Sequence, residues 1–216
     1  MVLLCAGCSS GPADLVELTS PTEVRIEGSP LGPLQVRLDH DRRPPKEHGV
    51  RNYPGRSYLG GNDLMEPTDV SLLRILVRDL VLAGVASRAG LLPVEDGYVL
   101  EVTVERLGAS FNNGIETLVA PVLPTSAVEA ACSLSLVFKD TLGRVFLRQT
   151  FAAEESAVAA LLIGLESTAA DTLAEAIRHA CDAAFPVIHG SVAAFWERLR
   201  RNGISPPRER RSSTAR

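Results

Sequence analysis

Thiols, imidazoles and guanidinium groups are the side chains whose types and spacing could do chemistry in this sequence. Four cysteines are present, Cys5, Cys8, Cys132 and Cys181, and four histidines, His40, His48, His179 and His189. No two histidines stand one helical turn apart, and no Cys-x-x-Cys follows the amino terminus, so a tetrahedral metal site is not expected. The one cluster with ligand-type residues is Asp39-His40-Asp41, with Glu47 and His48 nearby. Neighbouring residues of a strand point to opposite faces, so Asp39 and His40 should not converge on one ion. Gly-x-Ser-x-Gly, the P-loop and the dinucleotide fingerprint are all missing. Nothing converges as a nucleophile, base and oxyanion site would, and neither catalysis nor a cofactor is expected.

Cys8 has the most informative surroundings. The chain opens MVLLCAGCSS, with apolar residues 2–4, then the small pair Ala6 and Gly7, then Cys8. This looks like the end of a bacterial lipoprotein signal, where cleavage after a small residue frees a cysteine for acylation. The basic leader is missing, and the apolar run is shorter than the roughly 7–15 residues usual for such a signal. The expectation is therefore that residues 1–7 are a truncated signal remnant and that the true start lies upstream. Residues 8–22 would then be the anchor and tether, since Ser9, Ser10, Gly11 and Pro12 make a polar, flexible link. Several acyl chains on one cysteine suffice for stable membrane attachment. The compartment implied is the cell envelope, with the outer membrane facing the periplasm as the expected site.

Cys132 and Cys181 remain in the body of the chain. An envelope compartment permits disulfides, and the two fall on a strand and on the helix expected to cover it. A bond between them and a pair of buried free thiols are both open. Two loops are candidate binding elements. The stretch 41–56 carries Arg42, Arg43, Lys46, Arg51 and Arg56 against Asp41 and Glu47. Guanidinium groups suit carboxylate or phosphate partners, although a solvated loop with internal Arg–Asp pairs explains the same residues. The stretch 109–126 is long and apolar for a hairpin connection. It could form a contact lip or fold back as additional strand.

Composition narrows the class. With 216 residues and 45% hydrophobic content the chain can bury a core, so global disorder is not expected. Its formal net charge of −4 argues against nucleic-acid binding, which needs a concentrated excess of Lys and Arg. The dense basic run, residues 208–216, reads as a solvated tail. No apolar run approaches the roughly 20 residues of a membrane-spanning helix.

The elements that must position these residues follow from periodicity. Residues 33–40 alternate, with Leu34, Val36 and Leu38 on one side, and residues 23–26 suggest a short edge strand. Pro67 opens a helix with an expected stripe of Val70, Leu73, Leu76, Val77, Leu80 and Val81, leaving Asp79 outside and stopping near Gly90. Three strands follow, over 98–107, 130–139 and 144–154, the last two joined by a tight turn at Asp140–Gly143. The third strand should point Val145, Leu147, Gln149 and Phe151 inward. A helix over 167–184 comes next, interrupted by Pro186, and 191–201 forms a separate short helix. The order is β-α-β-β-β-α, an α+β fold with an antiparallel or mixed sheet and both helices packed on one face. Residues 23–203 make one domain and 204–216 a basic tail.

The order LDHDRRP, HGVRN, helix, YVLEVTVERL and LSLVFKDTLGRVFLRQTF resembles the YajG-like family of envelope lipoproteins. The hairpin Asp140-Thr141-Leu142-Gly143-Arg144 is also similar to that of the related auxiliary lipoproteins of ABC-type lipid transport. The resemblance covers roughly residues 33–185. It implies a non-catalytic role in the envelope, through binding an envelope protein or lipid, and brings no catalytic residues. The alternative is a structural protein that forms homo-oligomers through the open face of its sheet.

Overall fold

A computed structural model describes Leu18 and residues 20–48, 57–59, 68–111, 125–160 and 165–202. Its elements are β1 (Leu34–Asp41), a 3-10 turn (Pro45–His48), β2 (Ser57–Leu59), α1 (Thr68–Leu82), β3 (Ala89–Gly90), β4 (Tyr98–Phe111), β5 (Thr125–Asp140), β6 (Val145–Ala160) and α2 (Leu165–Arg201). The expected β-α-β-β-β-α order is therefore β1-α1-β4-β5-β6-α2, with β2 and β3 as short additions. The sheet runs β3-β1-β4-β5-β6, and β2 lies against the far end of β4. β1 is parallel to β3 and β4, while β4, β5 and β6 form an antiparallel meander. The parallel β1–β4 pair requires a crossover, and α1 supplies it.

Period-two patterning decides which face is buried. Leu34, Val36, Leu100, Val102, Val104, Leu134, Leu136 and Phe138 face one way, and α1 and α2 close over them in one continuous core. From α1 come Leu72, Leu76 and Leu80; from α2 come Leu173, Ile177, Phe185 and Ile188. Each such fully buried side chain is worth roughly 1.5–3 kcal/mol relative to exposure. The class is α+β, with a mixed sheet and both helices on one face.

Several local expectations are corrected. Residues 23–26 are not a strand, because α1 ends beside them. Ile26 N–H donates to the carbonyl of Ala83 at 2.8 Å, and Leu31 pairs with Ala86 across a single bridge. Helix α1 stops at Leu82, not near Gly90. Gly84, at φ +78°, provides the left-handed residue that ends it, and Gly90 belongs to β3. The buried stripe of α1 is also turned from the expected one. Val81 is 42% exposed and Asp79 is fully buried, since residues 20–26 cover a flank of the helix as well as the sheet covering its base.

Helix α2 is a single helix through Pro186. Proline in a helix removes one backbone bond at a cost of about 3 kcal/mol. Here the ring is exposed, while Phe185 and Ile188 on either side are fully buried and carry the helix through. Val145 is not inward, because a bulge opposite Lys139 substitutes Phe146, which packs on Tyr98 and Phe138. Gln149 stands opposite Leu136, yet remains exposed at the sheet edge. The apolar stretch 109–126 is strand at both ends, to Phe111 and from Thr125. Residues 112–124, Cys8 and the basic tail lie outside the described residues. At the β3–β4 turn, a Cβ on Gly97 would come within 2.2 Å of the Pro33 carbonyl oxygen. Only glycine lets β1 and β4 begin side by side there.

Candidate functional site

The open face of the sheet carries the most concentrated polar chemistry. β1 pairs with β4 as far as Val104, and β2 rejoins that edge only at Ala109. The backbone between them has no described strand partner on that side, and on the β5 side a bulge falls between Val104 and Arg106. The 3-10 turn fills the gap. Glu47 is buried, and its carboxylate accepts the N–H of Leu107 at 2.8 Å. Arg42 N–H donates to the carbonyl of Val104 at 2.8 Å, and the Arg106 guanidinium lies 3.6 Å from Glu47.

Asp41 and Arg43 hold that turn in place. The Asp41 carboxylate accepts the backbone N–H of Arg43 at 3.1 Å and its guanidinium at 2.6–3.0 Å. Arg43 reaches on to the carbonyl of Glu47 at 3.5 Å. Its side chain is only 4% exposed, so it is a brace and not a solvent-facing anion binder. Arg42 does reach solvent, 3.7 Å from Glu105. Arg51 and Arg56 lie outside the described residues, so the proposed arginine loop is seen only in its first two members. Asp39 and His40, expected on opposite faces, come within 2.9 Å on the surface. The reason is a bulge between Leu38 and His40 that breaks the alternation.

Beside Glu47 the open face forms a groove of about 540 Å³. Gly108 and Ala131 keep its floor low, and Arg106, Ser110, Glu129 and Glu154 line it. Arg106 reaches across β5 to Glu154 at 2.8 Å. Glu47, Glu129 and Glu154 against the one guanidinium of Arg106 give it a negative balance, which suits cationic or hydrogen-bond-donating partners. Further along the face, Glu101 lies between Arg37 and Lys139, and Ser135 bonds to Thr150. Burial raises the Glu101 pKa, but the hydrogen bonds from Lys139 and Arg37 outweigh it and leave the carboxyl below its usual value.

A second cleft, of about 360 Å³, opens at the β5–β6 hairpin end. Tyr98, Phe138, Phe146, Phe195 and Trp196 form a chain of ring contacts there. Arg144 lies over the Trp196 ring at 5.1 Å and binds the Asp140 carboxylate at 2.5 Å. Sequence reading missed this cleft, since it joins residues 98 and 196 only through the unbroken helix. The alternation of Tyr98, Phe138 and Phe146 toward one end was the available signal.

The chain enters the domain through a polar clamp. Leu18 is buried, and Thr22 N–H donates to the fully buried Asp79 carboxylate at 3.2 Å. Arg78 binds Asp79 at 2.6 Å and the carbonyl of Ser20 at 3.2 Å. On the other side the Thr22 hydroxyl donates to Asp182, and Ser20 to Glu175 at 2.8 Å. The bond from Arg178 chiefly holds the Glu175 carboxyl below its usual pKa. Both helices thus grip residues 20–22.

Cys132 and Cys181 are both fully buried free thiols. Burial pushes the Cys132 thiol up to about 12 and raises Cys181 well above its ordinary value, with Cys132 itself a neighbouring contributor. Among the described residues no group of three or more His, Cys, Asp or Glu is arranged to hold a metal. No described helix is long and apolar enough to cross a membrane.

No family model and no curated protein matches the sequence. Solved structures do. A Xanthomonas campestris protein of the family model DUF330 matches at 15% identity and TM-score 0.52, over 82% of this chain and 96% of that one. Weaker likenesses reach a candidate lipoprotein from Caulobacter crescentus, at 16% identity, TM-score 0.36, and 56% and 81% coverage. A minor lipoprotein from Acinetobacter baumannii follows, at 16% identity, TM-score 0.33, and 76% and 93% coverage. The chain shares the fold of the Xanthomonas structure. The YajG-like motifs remain a resemblance.

Proposed function

We propose that this chain is a bacterial envelope lipoprotein, acylated at Cys8, that acts by binding or assembly and not by catalysis. The observation that carries the reading is the clamp on residues 20–22. Leu18 is already buried in the domain, ten residues after the cysteine of the MVLLCAGCSS motif. Ten extended residues span at most about 35 Å, so acylation at Cys8 would hold the domain close to the bilayer surface. The outer membrane, on its periplasmic side, is the site this reading favours. The carboxylates of the open groove support binding over catalysis. Glu47 accepts a backbone N–H, and Glu154 forms a solvent-exposed ion pair with Arg106. An envelope protein or lipid is the proposed partner, in a role auxiliary to lipid or surface-polymer transport.

Metabolic labelling with a fatty acid tests the anchor. Wild-type chain should take up label and partition into membranes, and Cys8→Ala should do neither. Equal labelling of both would overturn the assignment. Capture from native membranes, with lipid analysis of the eluate, identifies the partner.

A further inference from the structure

Strand β6 ends the sheet: it pairs with β5 along its whole length, and no described strand lies on its other side. It is 16 residues long, with neither Pro nor Gly in VFLRQTFAAEESAVAA. Its one bulge lies at the hairpin end, opposite Lys139. Long, flat edge strands present a ladder of unpaired backbone groups, and proteins ordinarily blunt them with proline, bulges, charged side chains or very short length. Along residues 147–158 β6 has no proline and no bulge, and its charges are Arg148 against Glu154 and Glu155, of both signs.

We infer that β6 is an interface for a second copy of this chain, pairing antiparallel with its counterpart about a two-fold axis at Phe151. Charge selects that register. Even-numbered residues of β6 share the open face with Ser133 and Ser135. An axis at Phe151 puts Arg148 of each copy opposite Glu154 of the other, and Thr150 opposite Ala152. Arg148 is exposed and has no ion pair among the described residues, and Glu154, 74% exposed in its pair with Arg106, has carboxylate oxygen left to accept a second guanidinium, that of Arg148 from the other copy. Moving the axis to Ala152 would instead oppose Arg148 with Ser156 and lose both pairs. Opposite charges directly across strands favour a register, and like charges oppose it.

The helix layer fits the same axis. His179 of α2 bonds to Glu155, and Phe195 packs edge-on against Phe146. The middle of that helical stretch, near Pro186 and Val187, therefore stands above Phe151. Ala183, Val187 and Gly190 recur at helical spacing there and are exposed. Helix α2 lies over β5 and β6, so pairing of the two β6 strands sets the two copies of α2 side by side on the same face. Small side chains at the crossing permit that approach. The pairing does not depend on acylation at Cys8.

Sedimentation of the full chain in detergent, across a concentration series, tests the interface. The wild type should dimerise, and Arg148→Glu and Glu154→Arg should each raise the dimer dissociation constant at least tenfold. The double variant R148E/E154R restores both pairs with exchanged signs and should recover part of the loss, since the Arg106–Glu154 pair within each copy is missing from it as from Glu154→Arg. Hydrogen exchange should show the amides of residues 147–155 slowing as concentration rises. A chain that stays monomeric, or a dimer unaffected by either single variant, overturns the proposal. So does a double variant no better than the singles.

Discussion

The Glu47 carboxylate accepts the Leu107 N–H at 2.8 Å, standing in for the strand residue that neither β1 nor β2 provides at that point of β4. A side chain thus completes the sheet edge. Glu47→Ala leaves a buried donor without an acceptor, and such groups cost about 1–3 kcal/mol. Urea unfolding should show a loss of that size, while Glu47→Gln, which keeps an accepting oxygen, should lose less. Equal losses for both would show that the charge beside Arg106 matters more than the bond to the backbone.

Asp79 does a similar service for the entering chain. With Asp79→Ala, the buried Thr22 N–H loses its acceptor and Arg78 keeps only the carbonyl of Ser20. Stability should fall by about 1–3 kcal/mol. Tryptic cleavage after Arg25 should accelerate well before the core unfolds. Unchanged cleavage would place the hold on residues 20–26 in Ser20, Thr22 and α2 alone.

Acid should weaken the fold through Glu101 and Glu175, whose carboxyls are both held below 4.5. A depressed folded-state pKa adds stability that is fully present above the unfolded value and disappears as pH falls through the folded one. Stability should thus be level from neutrality to about pH 5 and decline once pH drops below about 4.5. Glu101→Gln and Glu175→Gln should each flatten the decline, read as the urea midpoint against pH.

The buried thiols should be inert while the domain is folded. With Cys132 pushed up to about 12, the thiolate is scarce near neutrality, and burial denies access to reagent. Thiol reagents should leave Cys132 and Cys181 untouched in the native protein and modify both in concentrated guanidinium. Failure to react even when unfolded would show that the two are bonded to each other.

The main frame of the fold was legible because it depends on period-two patterning. Leu100, Val102 and Val104 in β4, and Leu134, Leu136 and Phe138 in β5, declare the buried face without help from distant residues. What was not legible depends on tertiary cover. Asp79 reads as a solvent-facing residue until Thr22 and Arg78 are brought to it. Pro186 reads as a break until Phe185 and Ile188 are seen buried on either side. Bulges account for the remainder: one unites Asp39 with His40, and another exchanges Val145 for Phe146. The groove could not be read from sequence because its residues come from β4, β5, β6 and the Glu47 turn. The arginine loop was conspicuous by composition, yet Arg43 proved to be an internal brace.

The parallel alignment of β1 with β4 also sets an order of events in folding. β4, β5, β6 and α2 follow one another along the chain and can collapse through short-range contacts. β1 precedes its principal neighbour by some sixty residues, pairing Leu34 with Tyr98, and only the two-residue β3 offers it an earlier partner. Long-range pairing of this kind is slow, because loop entropy is lost before contacts return it. During synthesis or export from the amino terminus, β1 therefore waits until β4 has emerged. The stretch nearest the proposed anchor thus waits some sixty residues for its main strand partner, and for that interval it is the natural substrate for a chaperone.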